Sequence, residues 1–356
     1  MSKSKLGLAA TVLLFLLSVL VLGSSYISPE TFWPGALLAL LLIPTLLINL
    51  VALLTLLVKR SWTLVFPLLI LIGGLTFLPR LYAWSSGGAE HRGENGESFR
   101  VVSYNASFFR ASGVFSKGYY SSDKNLLALQ ITDWIRTNEA DIICLQEFFD
   151  DENSDIFNNV QAIGESKGYE HFFLHKSLHD NGVERGLITF SKFPIVDQGT
   201  IFLSENRYNG ATFVDLRISS DTVRVVNVHL ESLNLSERGQ GGAILSVMKR
   251  NVTQKNQQAY QVLQLVRQSP YPVIVCGDFN EVPNGFVYRQ FGQLLNNAFE
   301  EEGQGLGLTY QGSYPAPVLR IDNQFYDPRL HLISFATHYS IDYSDHFPIE
   351  AHYRLP

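Results

Sequence analysis

Three stretches near the amino terminus carry no charged side chain: Leu6–Leu22, Ala36–Val58 and Trp62–Leu78. A membrane-spanning helix needs roughly 17 to 25 apolar residues, so the second stretch is comfortably long and the other two sit at the short limit. After Trp84 the composition becomes that of an ordinary soluble protein. The expected organisation is a membrane region in residues 1–84 with three helices (about 6–22, 36–58 and 62–78), a polar glycine-rich tether over 85–98, and a globular domain over 99–356. The first stretch has a second reading as a cleaved signal peptide, because Lys3 and Lys5 precede it and Gly23-Ser24-Ser25 follows.

Positive charge orients such segments, with Lys and Arg retained in the cytoplasm. Lys3 and Lys5 precede the first helix, Lys59 and Arg60 fill the second link, and the first link holds only Glu30. The amino terminus and the second link are therefore expected inside. The third helix then exits outward and leaves the globular domain extracytoplasmic, in a multi-pass protein of the cell membrane; Arg80 weakly opposes this. Pro44 and Asn49 lie inside the second stretch and read either as a functional mark within the membrane or as packing against neighbouring helices.

Of 27 Lys and Arg, five precede residue 85, and of 33 Asp and Glu, one does; the remainder has 22 against 32, a net charge of −10. A general nucleic-acid binder carries a basic footprint, so strong binding of that kind is not expected. Two cysteines, Cys144 and Cys276, exclude a disulfide-stapled scaffold. Both lie in predicted strands and read as buried free thiols, with a single bridge as the alternative.

In the globular part, five apolar β-branched runs each end in a polar residue: Val101–Asn105, Ile142–Glu147, Val225–His229, Val273–Asn280 and, at Ser344–Phe347, a short polar pair entering a strand. Such runs read as buried strands. Helices are expected over about 123–137, with Asp123 as N-cap, and over about 154–167, 250–268 and 284–292. Further strands are expected at 170–174, 187–191, 195–203, 212–218, 223–230, 318–325, 330–335 and 347–354, with Ser219-Ser220-Asp221 as a hairpin turn. Strands in runs with helices between and outside them imply two stacked sheets covered by helices.

Strand mouths gathered at one rim would collect Asn105, Glu147, His229, Asp278, Asn280, Asp345 and His346. Oxygen ligands of this kind suit a hard divalent cation and a phosphate. Glu147, at the end of an apolar run, is the leading metal ligand; a salt bridge with an Arg is the alternative. Asp278 and Asn280 face one side at i and i+2, suited to orienting a water and holding phosphoryl oxygens, unless the segment is simply an Asx-rich turn. Asp345 is placed to reach the outer shell of a metal while His346 touches phosphate. His229 ends its strand in the same way, and Asp322 is suited to orient an imidazole and raise its basicity.

The motifs SYN, LQE, NVHLES, GDFN, RID and SDHFP follow one another as in the endonuclease/exonuclease/phosphatase superfamily, which residues 100–356 resemble. The resemblance implies a four-layer α/β sandwich and a Mg²⁺- (or Mn²⁺-) dependent phosphoesterase without a covalent intermediate. By motif, Asn105 and Glu147 would hold metal with Asp345 near it. Asp278 would position the water and Asn280 the phosphate. His229 and His346 would contact phosphate, with Asp322 paired to His346. Asn323 and Gln324 stand where the family has apolar or aromatic residues. The membrane region lies outside the resemblance. The competing reading is a catalytically silent, membrane-tethered binding or scaffold protein that retains the fold; every expected polar position is present, which opposes it.

Overall fold

The computed structural model describes residues 3–85, 96–113, 122–165, 168–180, 182–204, 209–233, 244–312 and 319–355. Residues 86–95, most of the expected tether, lie outside the described residues. The chain forms two compact units that do not follow its linear order. One comprises Met1–Tyr82, Ser232–Asn256 and Glu281–Gln293; the other comprises Ala83–Glu231, Gln257–Asn280 and Leu294–Pro356.

In the first unit, α1 (Lys3–Gly23) is followed by short turns of helix at Pro29–Phe32 and Pro34–Ala39, then by α2 (Leu42–Val58) and α3 (Val65–Gly74). Two apolar helical stretches, Lys5–Tyr26 and Trp62–Leu81, are long enough to cross a membrane, while Leu42–Val58 has only 17 residues. The segment expected to be the longest spanning helix is thus the one that breaks. Pro44 is the physical reason. It has no N–H for the Leu40 carbonyl, and its ring crowds that carbonyl, so the helix interrupts at Leu40-Leu41. Asn49, 1% exposed, donates to Ser18 Oγ at 2.8 Å and to the Thr45 carbonyl at 2.9 Å. It therefore joins α1 to α2, as packing requires.

The second unit contains two six-stranded mixed sheets. Strands β1 (Ser98–Asn105), β2 (Ile142–Asp151), β3 (His171–Asp180) and β4 (Val183–Ser191) belong to the first sheet. Strands β5 (Ile195–Leu203), β6 (Gly210–Ile218), β7 (Asp221–His229) and β8 (Val273–Asp278) belong to the second. To the second are added β9 (Asn296–Asn297) and β10 (Asp322–Tyr326), and to the first β11 (His331–Thr337) and β12 (Ile349–Arg354). The orders are β11-β12-β1-β2-β4-β3 and β9-β10-β8-β7-β6-β5.

Alternation along a strand sends neighbouring side chains to opposite faces. Val101, Ile142 and Cys144 face one core with Val214, Val225, Ile274 and Cys276 of the other sheet. Val102, Tyr104, Ile143 and Leu145 face a separate core with Ala128, Ile131 and Ile135 of α4 (Ser122–Thr137). Strands buried on both faces read as continuous apolar runs, which is why these islands are visible in the sequence. Both cysteines are buried and free.

Helices depart from expectation at three places. The helix expected over 154–167 shrinks to α5 (Asn159–Gly164), because β2 continues to Asp151 and a turn follows. The helix expected from 250 begins at 244, as α6 (Ile244–Gln268). A short α7 (Phe286–Phe291) follows β8, and α4 starts at Ser122, one residue before its expected cap. Ile218 pairs with Asp221 across a two-residue turn, where Ser219 takes φ +55°.

The polar pair Asn323-Gln324 keeps the β10 register, with Asn323 opposite Gly277 and Gln324 opposite Cys276. Both are satisfied inside. Asn323 Oδ1 accepts from Arg320 at 2.7 Å, and Gln324 donates to the Val101 and Ile349 carbonyls while accepting from Tyr353.

Candidate active site

Each sheet supplies half of one polar cluster. From the first come Asn105 at the end of β1 and Glu147 within β2. From the second come His229 at the end of β7, Asp278 at the end of β8 and Asp322 at the start of β10. His346 enters from the segment before β12, paired through its backbone with Tyr310.

Local backbone geometry aims these groups. The β2–β4 pairing skips between Leu145 and Phe148, and Glu147 in that bulge takes φ +48°. A bulge re-aims one side chain without ending the strand, and here it turns the carboxylate into the cluster. Gly277 lies beside β7 so closely that an added Cβ would be 2.0 Å from the Val228 carbonyl oxygen, at φ +143°. Only glycine permits the approach that brings Asp278 beside His229. Asn280 has φ +48°, and its N–H donates to Asp278 Oδ1 at 2.8 Å.

The cluster centres on Asp278, which is 2% exposed. Its Oδ2 accepts from Asn105 Nδ2 at 3.1 Å and lies 3.6 Å from His229 Nε2 and 3.7 Å from His346 Nε2. Glu147 Oε1 lies 3.3 Å from Asn105 Nδ2 and 3.7 Å from His229 Nε2. Among the described residues, no Lys or Arg pairs with Glu147 or Asp278. The Arg bridge considered for Glu147 is not formed. His346 Nδ1 is 2.8 Å from Asp322 Oδ2, and the Asp322 N–H donates to Thr309 Oγ1 at 3.0 Å.

The side chains of two further sequence candidates bond to neighbours in the chain or fold. The Asn280 amide donates to the Leu230 carbonyl at 3.0 Å, and Asp345 Oδ1 accepts from Ser344 at 3.2 Å. Asp345 still acts on the cluster by charge, raising the pKa of Glu147 and of His346. Tyr310, absent from the sequence reading, lies with its ring centroid 4.9 Å from that of His346. It sits in no motif and no strand, so only the fold discloses it.

Burial pushes the Glu147 carboxyl up, and the nearby imidazoles only partly oppose this. For His346, burial pulls the pKa down, but the Asp322 and Asp278 carboxylates outweigh it and push it up to about 10. Asp278, Asp322 and His346 lie close enough to hold an ion, with His346 the one nitrogen donor among them. Carboxylate and amide oxygens of Glu147, Asp278 and Asn105 suit a hard cation better. Asn105 Oδ1 now accepts from the Ser107 N–H at 3.0 Å, so its amide must rotate to offer oxygen to a cation.

His346 also yields a stability prediction. Its folded pKa lies above the free value of 6.5, so its contribution is complete below that value and is lost as pH rises through about 10. The metal-free protein should therefore lose melting temperature between about pH 7 and about pH 10, and Asp322→Asn should flatten that slope. Equal slopes for the two proteins would show that the pair does not govern it.

The sequence pattern of the Endonuclease/Exonuclease/phosphatase family matches residues 102–346, and that of a domain of unknown function matches residues 4–81. Mouse nocturnin is 26% identical over 189 residues, covering 48% of this chain and 40% of nocturnin. The chain thus spans less than half the length of that curated relative. Among solved structures, an endonuclease/exonuclease/phosphatase from Beutenbergia cavernae has a TM-score of 0.53 at 19% identity, covering 72% of each chain. The human nocturnin catalytic domain with bound sulfate anion has a TM-score of 0.51 at 20% identity, covering 76% of this chain and all of that one.

Proposed function

Because the chain belongs to the endonuclease/exonuclease/phosphatase family, we propose that it is a membrane-anchored phosphoesterase that uses a divalent cation to hydrolyse a phosphodiester or phosphomonoester by direct attack of water. The observation that supports this is the pair of carboxylates, Glu147 and Asp278, gathered beside two imidazoles and the Asn105 amide. Such a charge arrangement disfavours the empty state and favours a cation together with an anionic phosphate.

A cation held by Glu147 and Asn105 would neutralise charge developing on the phosphoryl oxygens. The chain's own groups do the rest. Asp278 Oδ2 accepts hydrogen bonds and is suited to orient a water for in-line attack. His346, protonated and fixed by Asp322, presents its Nε2–H to a phosphoryl oxygen, and His229 supplies a second donor from the opposite sheet. Asn280 contributes its amide to the phosphate once it leaves the Leu230 carbonyl. Incubating the full chain with Mg²⁺ or Mn²⁺ and DNA, RNA, sphingomyelin, phosphoinositides or bis(p-nitrophenyl) phosphate tests the reading. Turnover of at least one is expected, and turnover of none refutes it.

Membrane anchoring is supported by the apolar surface of the helices, where Leu13, Leu16, Val51 and Ile72 are each more than half exposed. A soluble protein rarely leaves such a surface uncovered. With Leu42–Val58 counted as a third crossing, the positive charges of Lys3, Lys5, Lys59 and Arg60 support an amino terminus in the cytoplasm and a catalytic domain outside it. A cytoplasm-only reporter fused after Pro356 should stay dark; a bright signal would reverse the orientation.

A further inference from the structure

The chain passes directly from Asn280 into Glu281–Gln293, a segment that belongs to the same compact unit as Met1–Tyr82. Within that unit, amino-terminal residues grip it at three points. Asn284 Nδ2 donates to the Ala39 carbonyl, with both residues buried. The Arg289 guanidinium lies 4.3 Å from the Tyr26 ring centroid. Arg80 stands 5.8 Å from the Phe77 ring and 6.0 Å from that of Tyr288. From inside the same unit Glu281 is also held by Lys255, in an ion pair whose side chains are 4% and 6% exposed. Glu281 folds back over Gly285, where an added Cβ would meet its Oε1 at 1.8 Å.

The Ala39 carbonyl is free to accept because the helix breaks just beyond it, at Leu40-Leu41. The break that shortens α2 thus creates the acceptor for Asn284. Arg80, which runs against the charge rule for orientation, has aromatic partners within the unit.

We propose that the amino-terminal helical region is a brace for the catalytic loop. Tyr26, Ala39 and Arg80 act as positioning residues that hold Glu281–Gln293 and so restrain the chain where it leaves Asn280. This gives the region matched to a domain of unknown function a role beyond anchoring. It rests on the phosphoesterase reading of Asp278 and Asn280.

The test uses the full chain in detergent micelles. Tyr26 is 58% exposed, so its truncation opens no core cavity. In Tyr26→Ala, amide exchange in peptides spanning 281–293 should rise about 2- to 5-fold, the loss of one cation–π contact. In Asn284→Ala the rise should be about 5-fold or more. Peptides from β7 should exchange as before. Turnover of bis(p-nitrophenyl) phosphate should fall in kcat with KM unchanged, and Tyr26→Phe, which keeps the ring, should match the wild type in both readouts. Unchanged exchange over 281–293 in both truncations, or full kcat in both, overturns the brace. Asp278→Asn separates the two readings. If it abolishes turnover while the brace variants stay active, only the brace fails. If it leaves turnover intact, the phosphoesterase reading fails, and exchange alone decides whether the segment is held.

Discussion

Asp278→Asn should lower kcat by at least about 10²-fold without lowering the melting temperature of the metal-free protein. Asp278 is the common partner of Asn105, His229 and His346, so it meets every group that would surround the reacting phosphate. Removal of one positioned acid–base group costs roughly 10²- to 10⁴-fold. The same substitution removes a negative charge that repels Asp322 and attracts protonated His346. These two effects oppose each other and the volume is nearly unchanged, so the melting temperature should change little. A destabilised protein that loses activity only by unfolding would place Asp278 in the scaffold.

Glu147→Gln should be as damaging, by a different route. It removes the cation's charged ligand, so kcat should fall about 10²-fold or more, and added Mg²⁺ or Mn²⁺ should no longer raise the melting temperature. Burial holds the Glu147 carboxyl above its usual range, so in the wild type a proton competes with the cation. Metal affinity should weaken as pH falls through that elevated value. Glu147→Gln has no such proton to release, and whatever weak binding remains should be insensitive to pH over the same range. Metal-induced stabilisation of Glu147→Gln equal to that of the wild type would place the cation elsewhere.

Much of this arrangement is legible in the sequence because the strands concerned are buried on both faces. Val101–Asn105, Ile142–Glu147, Val225–His229 and Val273–Asp278 each run from a core into the cluster, so an apolar run ending in a polar residue marks a strand mouth. What stays hidden is geometry set by pairing. The bulge that aims Glu147 is a register event between β2 and β4, and no residue type announces it. Tyr310 reaches His346 through a single bridge outside any regular strand. His346 reads as a group at a strand mouth, yet it is 4% exposed and bonded to Asp322. Its truncation to Ala would strand a buried carboxylate, so it should also cost stability. Periodicity finds three apolar stretches near the amino terminus but not the Pro44 break, which depends on one carbonyl four residues earlier. Segments that join a distant unit, such as Glu281–Gln293, leave no local trace at all.

On the proposed mechanism, this cluster hydrolyses phosphate esters only with a divalent cation in place. The direct measurement is turnover of bis(p-nitrophenyl) phosphate by the full chain, before and after exhaustive treatment with EDTA and after return of Mg²⁺ or Mn²⁺. Loss of turnover to background on chelation and its recovery on metal return is the predicted result; undiminished turnover in the chelated protein would contradict it.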